Sequence, residues 1–450
     1  MHLSNTEAEA LFDDICDLPI VSPHGHTDPA WFAEDRPFSD ASELLVIPDH
    51  YVFRMLYSQG VGLEHLGVGE PGSTADRREI FRTFAKNWHL FLGTPSRVWI
   101  EYVLKNTLGL DQPLSPKNCD EIFDEINARL KSDGFRPRAL YERFGIEALA
   151  TTDAATDKLS HHSQIQKSDW AGRVIPTFRP DSVIDPMHPD FADDLAMLGQ
   201  MTGEDVKVFA GYLDALRAKR AYFQSMGATA TDHAIDVVAT GVVDDPDTLF
   251  AKVLSGASER ENRAFHGHML IEMARMSVED GLVMQLHGGS HRNSNNEIFQ
   301  RFGRDKGADI PISTDWVKGL EPLLNDIGNH PNFRLILFTL DESTYARELA
   351  PMAGHWPSLR IGPPWWFHDS PAGIARFFDT VVETAGYWNL AGFNDDTRAF
   401  LSIPARHDVW RRGVAEHLAG QVQRGYFDRS TASDIAKLLA TDLARDCYKL

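Results

Sequence analysis

Short apolar runs alternate with longer amphipathic segments along this chain, and the alternation predicts a parallel β-sheet whose strands are connected by helices. Because eight such runs follow one another, the pattern predicts an α/β fold of the (β/α)8 barrel type. The runs are Leu18–Pro23, Ile146–Thr151, Arg173–Phe178, Ala230–Val238, Leu282–Leu286, Phe333–Thr339, Leu359–Gly362 and Leu390–Phe393.

The helical periodicity of the segments between the runs predicts the helices that connect the strands. The predicted helices are Cys119–Lys131, Ala192–Leu198, Val206–Ser225, Glu259–Ser277, Trp316–Ile327 and Pro371–Ala385. The alternation fails once, between the first and the second run. We therefore assign residues 1–28 and 141–450 to the barrel and residues 29–140 to a helical insertion after strand 1. Loops that follow barrel strands carry such insertions, so this one is predicted to cover the barrel mouth.

Polar side chains follow almost every apolar run, at the strand ends where barrels of this type place their active sites. Taken singly, each of these residues is weak evidence, because an aspartate such as Asp153 or Asp181 is more often a helix cap, and a lone histidine such as His233 or His287 is more often a hydrogen-bonded core residue. Clustered at one rim, they predict a functional site. They are His24 and His26, Thr151 to Asp153, Arg179 and Asp181, Asp232 and His233, His287, Thr339 and Asp341, Trp365 and Trp366, and Asn394 to Arg398.

The first run ends in the sequence Ser22-Pro-His24-Gly-His26. Residues i and i+2 of an extended chain point to the same side, so both imidazoles can face one cation. Neutral imidazole is a preferred ligand of zinc and its first-row neighbours. In a chain with 19 histidines such a pair also arises by chance. Its position at a strand end is what favours a metal site.

The net charge excludes some classes of partner. With 65 acidic and 44 basic residues the formal charge is −21, which repels nucleic acids and anionic membranes. Cys16, Cys119 and Cys447 are widely spaced, as is typical of a reducing compartment. No apolar run approaches the ~20 residues of a membrane span. The sequence therefore predicts a cytoplasmic enzyme for a small molecule, and it leaves a homo-oligomer open.

Ten short motifs occur in order along the chain and carry a family resemblance. They are His24-Gly-His26, Asp49-His50-Tyr51, Thr151-Thr152-Asp153, Phe178-Arg-Pro-Asp181, Asp232-His233, Gln285-Leu-His287, Arg292-Asn293-x-Asn295, Trp365-Trp366-Phe367, Asp396-Thr-Arg398 and Ser402-x-x-x-Arg406-His407. Over nearly its whole length the chain resembles uronate isomerase, a metal-binding family of the amidohydrolase superfamily. Two departures stand out, namely Ser22, where the family usually has an acidic residue, and the segment Thr27–Trp31.

The resemblance implies one divalent metal bound by His24, His26 and Asp396, with His287 as a further or looser ligand. Zinc is the first expectation, and Mn²⁺, Fe²⁺, Co²⁺ and Ni²⁺ are alternatives. Many hydrolases of the superfamily bridge two metals with a modified lysine at the fourth strand. Residues 221–250 contain no lysine, which disfavours a site with two metals.

The implied reaction interconverts D-glucuronate with D-fructuronate, and D-galacturonate with D-tagaturonate, by moving a proton from C2 to C1 through a cis-enediol. Two alternatives stay open: a mononuclear metal-dependent hydrolase, either a lactonase or a deaminase, and an inactive barrel that binds sugar acids. The expected catalytic residues are Asp396, Arg398, His50 and Tyr51. Arg179 is the first candidate for the sugar carboxylate, followed by Arg406, Arg54 and Arg292, with Trp365 and Trp366 as walls of the sugar site.

Overall fold

The computed structural model describes residues 3–69 and 75–450, and its central feature is a set of short parallel strands. Several of the predicted runs are shorter in the structure than in the prediction, because their outer residues pass into loops. The strands are β1 Ile20–Ser22, β2 Ile146–Ala150, β3 Asp153–Ala154, β4 Val174–Ile175, β5 Phe178–Arg179, β6 Ala230–Ile235, β7 Val283–Gly288, β8 Ser290–His291, β9 Ile310–Pro311, β10 Leu335–Thr339 and β11 Leu359–Ile361.

The parallel strands pair in the order in which they occur along the chain. β1, β2 and β4 form one sheet, and β3, β5, β6, β7, β10 and β11 form the other. β2 with β3, and β4 with β5, are successive pieces of two barrel strands, and Pro176 between β4 and β5 lacks the N–H needed for a continuous ladder. This singly wound order confirms the predicted barrel.

The barrel closes through the last predicted run, although that run is not a full strand. Leu390 makes an isolated parallel bridge to Ile361 in β11, and Gly392 then turns the chain with a φ of 80°. The prediction of a strand over Leu390–Phe393 is therefore wrong in extent, because a left-handed glycine ends the extended backbone. Farther on, the His26 N–H donates to the Thr397 carbonyl at 3.0 Å, which joins the last segment to the first.

The six predicted helices are present, with ends that differ from the prediction by at most four residues. Trp316–Ile327 and Pro371–Ala385 have the predicted bounds, and the helix predicted to end at Ser277 continues to Asp280. The α-helices are Thr6–Asp13, Pro29–Glu34, Ala41–Leu45, His50–Tyr57, Arg77–Lys86, Pro95–Tyr102, Cys119–Leu130, Pro137–Arg143, Ser160–Gln166, Asp181–Ile184, Phe191–Thr202, Phe209–Ser225, Pro246–Ser255, Glu259–Asp280, Asn296–Phe302, Trp316–Ile327, Ala350–Ala353, Pro371–Ala385, Ile403–Gln423, Arg429–Lys437 and Leu443–Tyr448.

The chain between β1 and β2 folds into helices that share an apolar core. Phe81, Phe84 and Phe91 are fully buried in it, and the same cluster includes Leu149 of β2 and Phe400. These contacts pack the helices of the insertion onto the first strands of the barrel. Within the described residues, no helix is long and apolar enough to cross a membrane.

Candidate active site

One pocket gathers most of the predicted site residues at the carboxyl ends of the barrel strands. The parallel register places these ends on a single rim, so residues far apart in sequence meet there. The pocket is lined by His24, His26, His50, Arg179, Asp232, His287, Arg292, Asp305, Asp309, Trp365, Trp366, Asp396 and Arg398.

Imidazoles and carboxylates cluster at the floor of this pocket in two sets that share His24. One set is His24, His26 and Asp396, and the other is His24, Asp232 and His287. Within each set the potential ligand atoms lie within 4.8 Å of one another. The Nε2 atoms of His24 and His26 are 3.3 and 3.0 Å from Oδ1 of Asp396, so three donors converge on one point.

The donor set fits a divalent cation. Nδ1 of His287 lies 2.7 Å from Oδ1 of Asp232, whereas its buried Nε2 has no hydrogen-bond partner among residues 3–69 and 75–450. A carboxylate on one imidazole nitrogen fixes the tautomer and leaves the other nitrogen free as a ligand, as is common around protein-bound metals. The two overlapping sets therefore form a candidate metal centre.

The electrostatics of the cluster keep its carboxylates charged. Burial alone would raise the pKa of Asp396, but His24 and His26 hold that pKa well below its usual range. Burial of Asp232 is likewise outweighed, mainly by His287, and its pKa is also well below the usual range. Burial lowers the pKa values of His26 and His287, which favours the neutral imidazoles that metals require. Two anions and neutral imidazoles suit a dication.

His24 differs from the other two imidazoles. Burial would lower its pKa, but the negative charges of Asp396 and Asp232 outweigh burial and raise it. The carboxylates on both sides of this ring are therefore arranged to stabilise a positive charge at its position, whether that charge is a proton or a bound cation.

Arg179 lies at the end of β5 and is anchored through one nitrogen. Its Nε is 2.8 Å from Oδ2 of Asp181 and 3.7 Å from Oδ2 of Asp232. Burial would lower the pKa of Arg179, but these aspartates outweigh burial and raise it. In the part of the chain that the structure describes, its two Nη nitrogens have no hydrogen-bond partner. This permanent cation can offer a two-pronged donor to an anion in the pocket.

Two further arginines of the pocket carry aspartate partners that the sequence did not predict. Nη2 of Arg398 is 2.9 Å from Oδ2 of Asp305, and Nη1 of Arg292 is 3.7 Å from Oδ2 of Asp309. Both aspartates come from the segment between β8 and β9, which no strand periodicity marks. Asp232 was also absent from the predicted ligands, although the sequence pattern places it among the polar residues of the rim, which was a usable signal.

His50 brings the insertion to the pocket. Its ring lies 4.2 Å from that of Trp366, and burial, followed by the charge of Arg398, holds its pKa well below 6.5. His50 is therefore a neutral imidazole. Trp365 meets His287 edge-on at 4.8 Å, so both predicted tryptophans form walls of the pocket.

The structure places Tyr51 and Arg54 outside the pocket lining. Tyr51 is 3% exposed and packs edge-to-face on Trp99 at 5.4 Å, while the guanidinium of Arg54 lies over the Phe367 ring at 4.2 Å. They lie on the helix that begins at His50, whose ring reaches the pocket. Their assignment to proton transfer and to substrate binding is therefore not supported by direct access to the pocket.

Arg406 is likewise absent from the pocket lining. Its side chain is 1% exposed, pairs with Asp369 and stacks on Trp99 with its guanidinium carbon 3.7 Å from the ring centroid. These partners and the burial of the side chain separate the guanidinium from the residues that line the pocket. The assignment of Arg406 to the sugar carboxylate is therefore not supported by direct access to the pocket.

The chain matches known proteins along almost its entire length. The glucuronate isomerase family model matches residues 1–446. A uronate isomerase of Rhizorhabdus wittichii is 56% identical over 446 residues, which cover 98% of this chain and 95% of the relative. The crystal structure of glucuronate isomerase from Caulobacter crescentus superposes with a TM-score of 0.97 at 48% identity, covering 99% of this chain and 94% of that chain.

A more distant solved structure has the same fold. Uronate isomerase from Thermotoga maritima superposes with a TM-score of 0.94 at 27% identity, covering 99% of this chain and 98% of that chain. Fold and family thus agree with the resemblance carried by the ten sequence motifs. The chain belongs to the glucuronate isomerase family.

Proposed function

We propose that this protein is a uronate isomerase that converts D-glucuronate or D-galacturonate into the corresponding ketouronate. The observation that carries the proposal is the end of the eighth barrel segment, where Asp396 lies between two imidazoles and Arg398 lines the same pocket. Family membership supports the same substrate class. The pocket also contains further cationic side chains, as an anionic sugar requires.

We propose that His24, His26 and Asp396 hold one divalent cation per chain, with His287 as a further ligand beside Asp232. Zinc fits two imidazoles and a carboxylate, and Mn²⁺, Fe²⁺, Co²⁺ and Ni²⁺ accept the same donors. Such a cation would act as a Lewis acid toward the oxygens on C1 and C2 of the sugar. The remaining chemistry falls to the side chains around it.

Proton transfer requires a base, and Asp396 is the best placed candidate. Its pKa is held well below the usual range by its histidine neighbours, so it is ionised at neutral pH and can accept the proton from C2. Arg398, two residues on, would stabilise negative charge on the enediolate oxygens. His50, neutral and in the same pocket, can pass protons between sugar hydroxyls. We propose that the insertion acts as a lid that delivers His50.

The hydrolase alternative uses the same donor set and differs in the nucleophile, which would be an activated water. Neither the family match nor the relatives named above favour it. The inactive alternative is disfavoured by the pocket, which contains Asp396, Arg398 and His50 together.

The proposed activity predicts that purified protein forms ketose from D-glucuronate or D-galacturonate without any redox cofactor. We expect the reaction to run in both directions and to stop when a chelator removes the metal. Ketose formation can be followed by a colorimetric assay with and without chelator. Hydrolysis of a lactone or an amide, with no ketose from either uronate, would instead establish the hydrolase.

The carboxylate clamp predicts that Arg179→Met weakens uronate binding more than binding of the uncharged aldose. Loss of a desolvated, two-pronged contact costs roughly 2–5 kcal/mol. The measurement is KM and a competition constant for each sugar, together with metal content, because Arg179 also lies near Asp232. Arg292→Met is the matched control, with a smaller expected loss. If Arg179→Met weakens the binding of the uronate and of the uncharged aldose equally, another residue binds the carboxylate, and Arg292 becomes the first candidate for that contact.

A further inference from the structure

We propose that Arg406 is a positioning residue for Asp396, and that it connects the helical insertion to the end of the barrel where the metal centre lies. The inference deepens the proposed isomerase function and rests on it for the reaction that is measured. Arg406 lies on the helix Ile403–Gln423, outside the pocket lining. Its influence on chemistry would therefore be exerted through the backbone of the residues that line the pocket.

Asp396 needs external support because its backbone is strained. Its φ is 44°, in the left-handed region that residues other than glycine rarely occupy. Such conformations persist only where the surrounding structure holds them, and they are found disproportionately at functional sites. The carboxylate of Asp396 approaches His24 and His26 from this conformation, so the backbone geometry determines where its oxygens lie.

The peptide unit that leads into Asp396 is held from both sides. Its N–H donates to the carbonyl of His24 at 3.3 Å, and its carbonyl, which belongs to Asp395, accepts a hydrogen bond from Nη1 of Arg406 at 3.2 Å. The first contact ties Asp396 to another candidate ligand, and the second ties it to the guanidinium. Rotation of this peptide would break both contacts, so Arg406 restricts the backbone angles that place the carboxylate.

A second branch from Arg406 reaches the residue after Asp396. Nε of Arg406 donates to the hydroxyl of Ser402 at 3.2 Å, and that hydroxyl lies 3.0 Å from Oγ1 of Thr397. The carbonyl of Thr397 accepts the N–H of His26 at 3.0 Å. One guanidinium therefore fixes the turn on both sides of Asp396, and each branch ends at the backbone of a histidine in the metal centre.

The guanidinium is itself immobilised by two other parts of the molecule. Asp369, 6% exposed at its side chain and located after β11, pairs with Nη1, and Trp99 of the helix Pro95–Tyr102 stacks on the guanidinium plane at 3.7 Å. Tyr51 lies beside it, with the guanidinium carbon 5.0 Å from the ring centroid. Trp99 and Tyr51 both belong to the insertion. Because these two residues hold the guanidinium in place, the packing of the insertion affects the position of Asp396 through Arg406.

Arg411, on the same helix, offers a matched control for a merely structural role. It is 5% exposed and donates to the carbonyls of Cys16, Leu18 and Pro19 at 2.7 to 3.0 Å. These residues precede β1, at the end of that strand opposite His24. Arg411→Met therefore removes a buried arginine and its carbonyl contacts from the same helix without touching the turn around Asp396.

The test compares Arg406→Met, Arg406→Lys and Arg411→Met in the full-length protein. Affinity for Zn²⁺ is measured by competition with a chromogenic chelator in the absence of substrate, together with Tm, kcat and KM of the metal-loaded protein. We expect Arg406→Met to weaken Zn²⁺ binding by about 10–100-fold, the usual effect of removing support from a ligand. We also expect its kcat to fall at least tenfold while KM changes less. Lysine cannot reach Asp395 and Ser402 together. We therefore expect Arg406→Lys to have a Zn²⁺ affinity and a kcat between those of the wild type and those of Arg406→Met.

Arg411→Met is expected to lower Tm but to keep Zn²⁺ affinity and kcat at wild-type levels. Wild-type affinity and kcat in folded Arg406→Met, or equal losses in Arg411→Met, would overturn the proposal. If Arg406→Met does not fold, the same comparison is made with Arg406→Lys, and wild-type affinity and kcat in that variant would overturn the proposal. Because Zn²⁺ affinity is read without substrate, weaker binding in a protein that proves to lack isomerase activity would support the positioning role and reject the proposed function.

Discussion

Joint replacement of His24 and His26 by alanine is expected to abolish tight metal binding and to reduce ketouronate formation to the background rate. Both imidazoles lie within 3.3 Å of Oδ1 of Asp396, and their loss leaves Asp396 alone in the first set and only Asp232 and His287 in the second. Two donors do not form a tight site for a divalent cation. Elemental analysis of extensively dialysed protein should give close to one metal per wild-type chain and almost none in the double variant.

His162→Ala is the matched control for this result. His162 is 3% exposed, close to the 1% of His24, but it contacts Thr151, with Nε2 2.8 Å from Oγ1, and lies outside the pocket lining. We expect its metal content to equal that of the wild type. Near-stoichiometric metal that survives in the double variant would show that the cation binds elsewhere, even if activity were lost.

The sequence predicted the part of the site that follows from strand periodicity. His24, His26, His287 and Asp396 each stand within three residues of the end of a predicted apolar run, and the parallel order of the runs requires those ends to meet. Strand periodicity carries no information on segments that fold back over a rim. Asp305 shows this, because its position depends on a loop in which its N–H donates to Oδ1 of Asn293 at 3.1 Å.

Arg406 and Tyr51 show a different limit of sequence reasoning. An arginine near an active-site motif suits a carboxylate substrate chemically, but its availability depends on which partners surround it in space. Asp369 forms an ion pair with Arg406 and Trp99 stacks on it, although both residues are far away in the sequence. Trp99 also packs on Tyr51. No local pattern reveals such pairing, so residue type and spacing indicate the region of a site but not which of its side chains line the pocket.

Replacement of Asp396 by asparagine is expected to lower kcat by about 10²–10⁴-fold, the range typical of a positioned general base. Asparagine preserves the size of the side chain and one oxygen that can face His24 and His26. It removes the negative charge and the capacity to accept a proton. Metal content and Tm of the variant must be measured beside kcat, because a lost metal would also lower the rate.

Isotope exchange separates a lost base from a lost metal. In wild-type protein the reaction in D2O should place deuterium on the carbon that receives the proton, to an extent set by how fast the base exchanges with solvent. In metal-loaded Asp396→Asn that incorporation should slow together with kcat. Arg398→Lys, which retains charge but loses the planar donor, should lower kcat less because it leaves the base in place.

Near-normal turnover by metal-loaded Asp396→Asn would assign proton abstraction to another group. His50 would then be the first candidate, because it is neutral and is the insertion residue that reaches the pocket in the described part of the chain. The variant His50→Gln would distinguish abstraction of the C2 proton from the relay of protons between sugar hydroxyls. If His50 only relays protons between hydroxyls, deuterium incorporation should persist in that variant while ketose forms more slowly. If His50 abstracts the proton from C2, incorporation and turnover should be lost together.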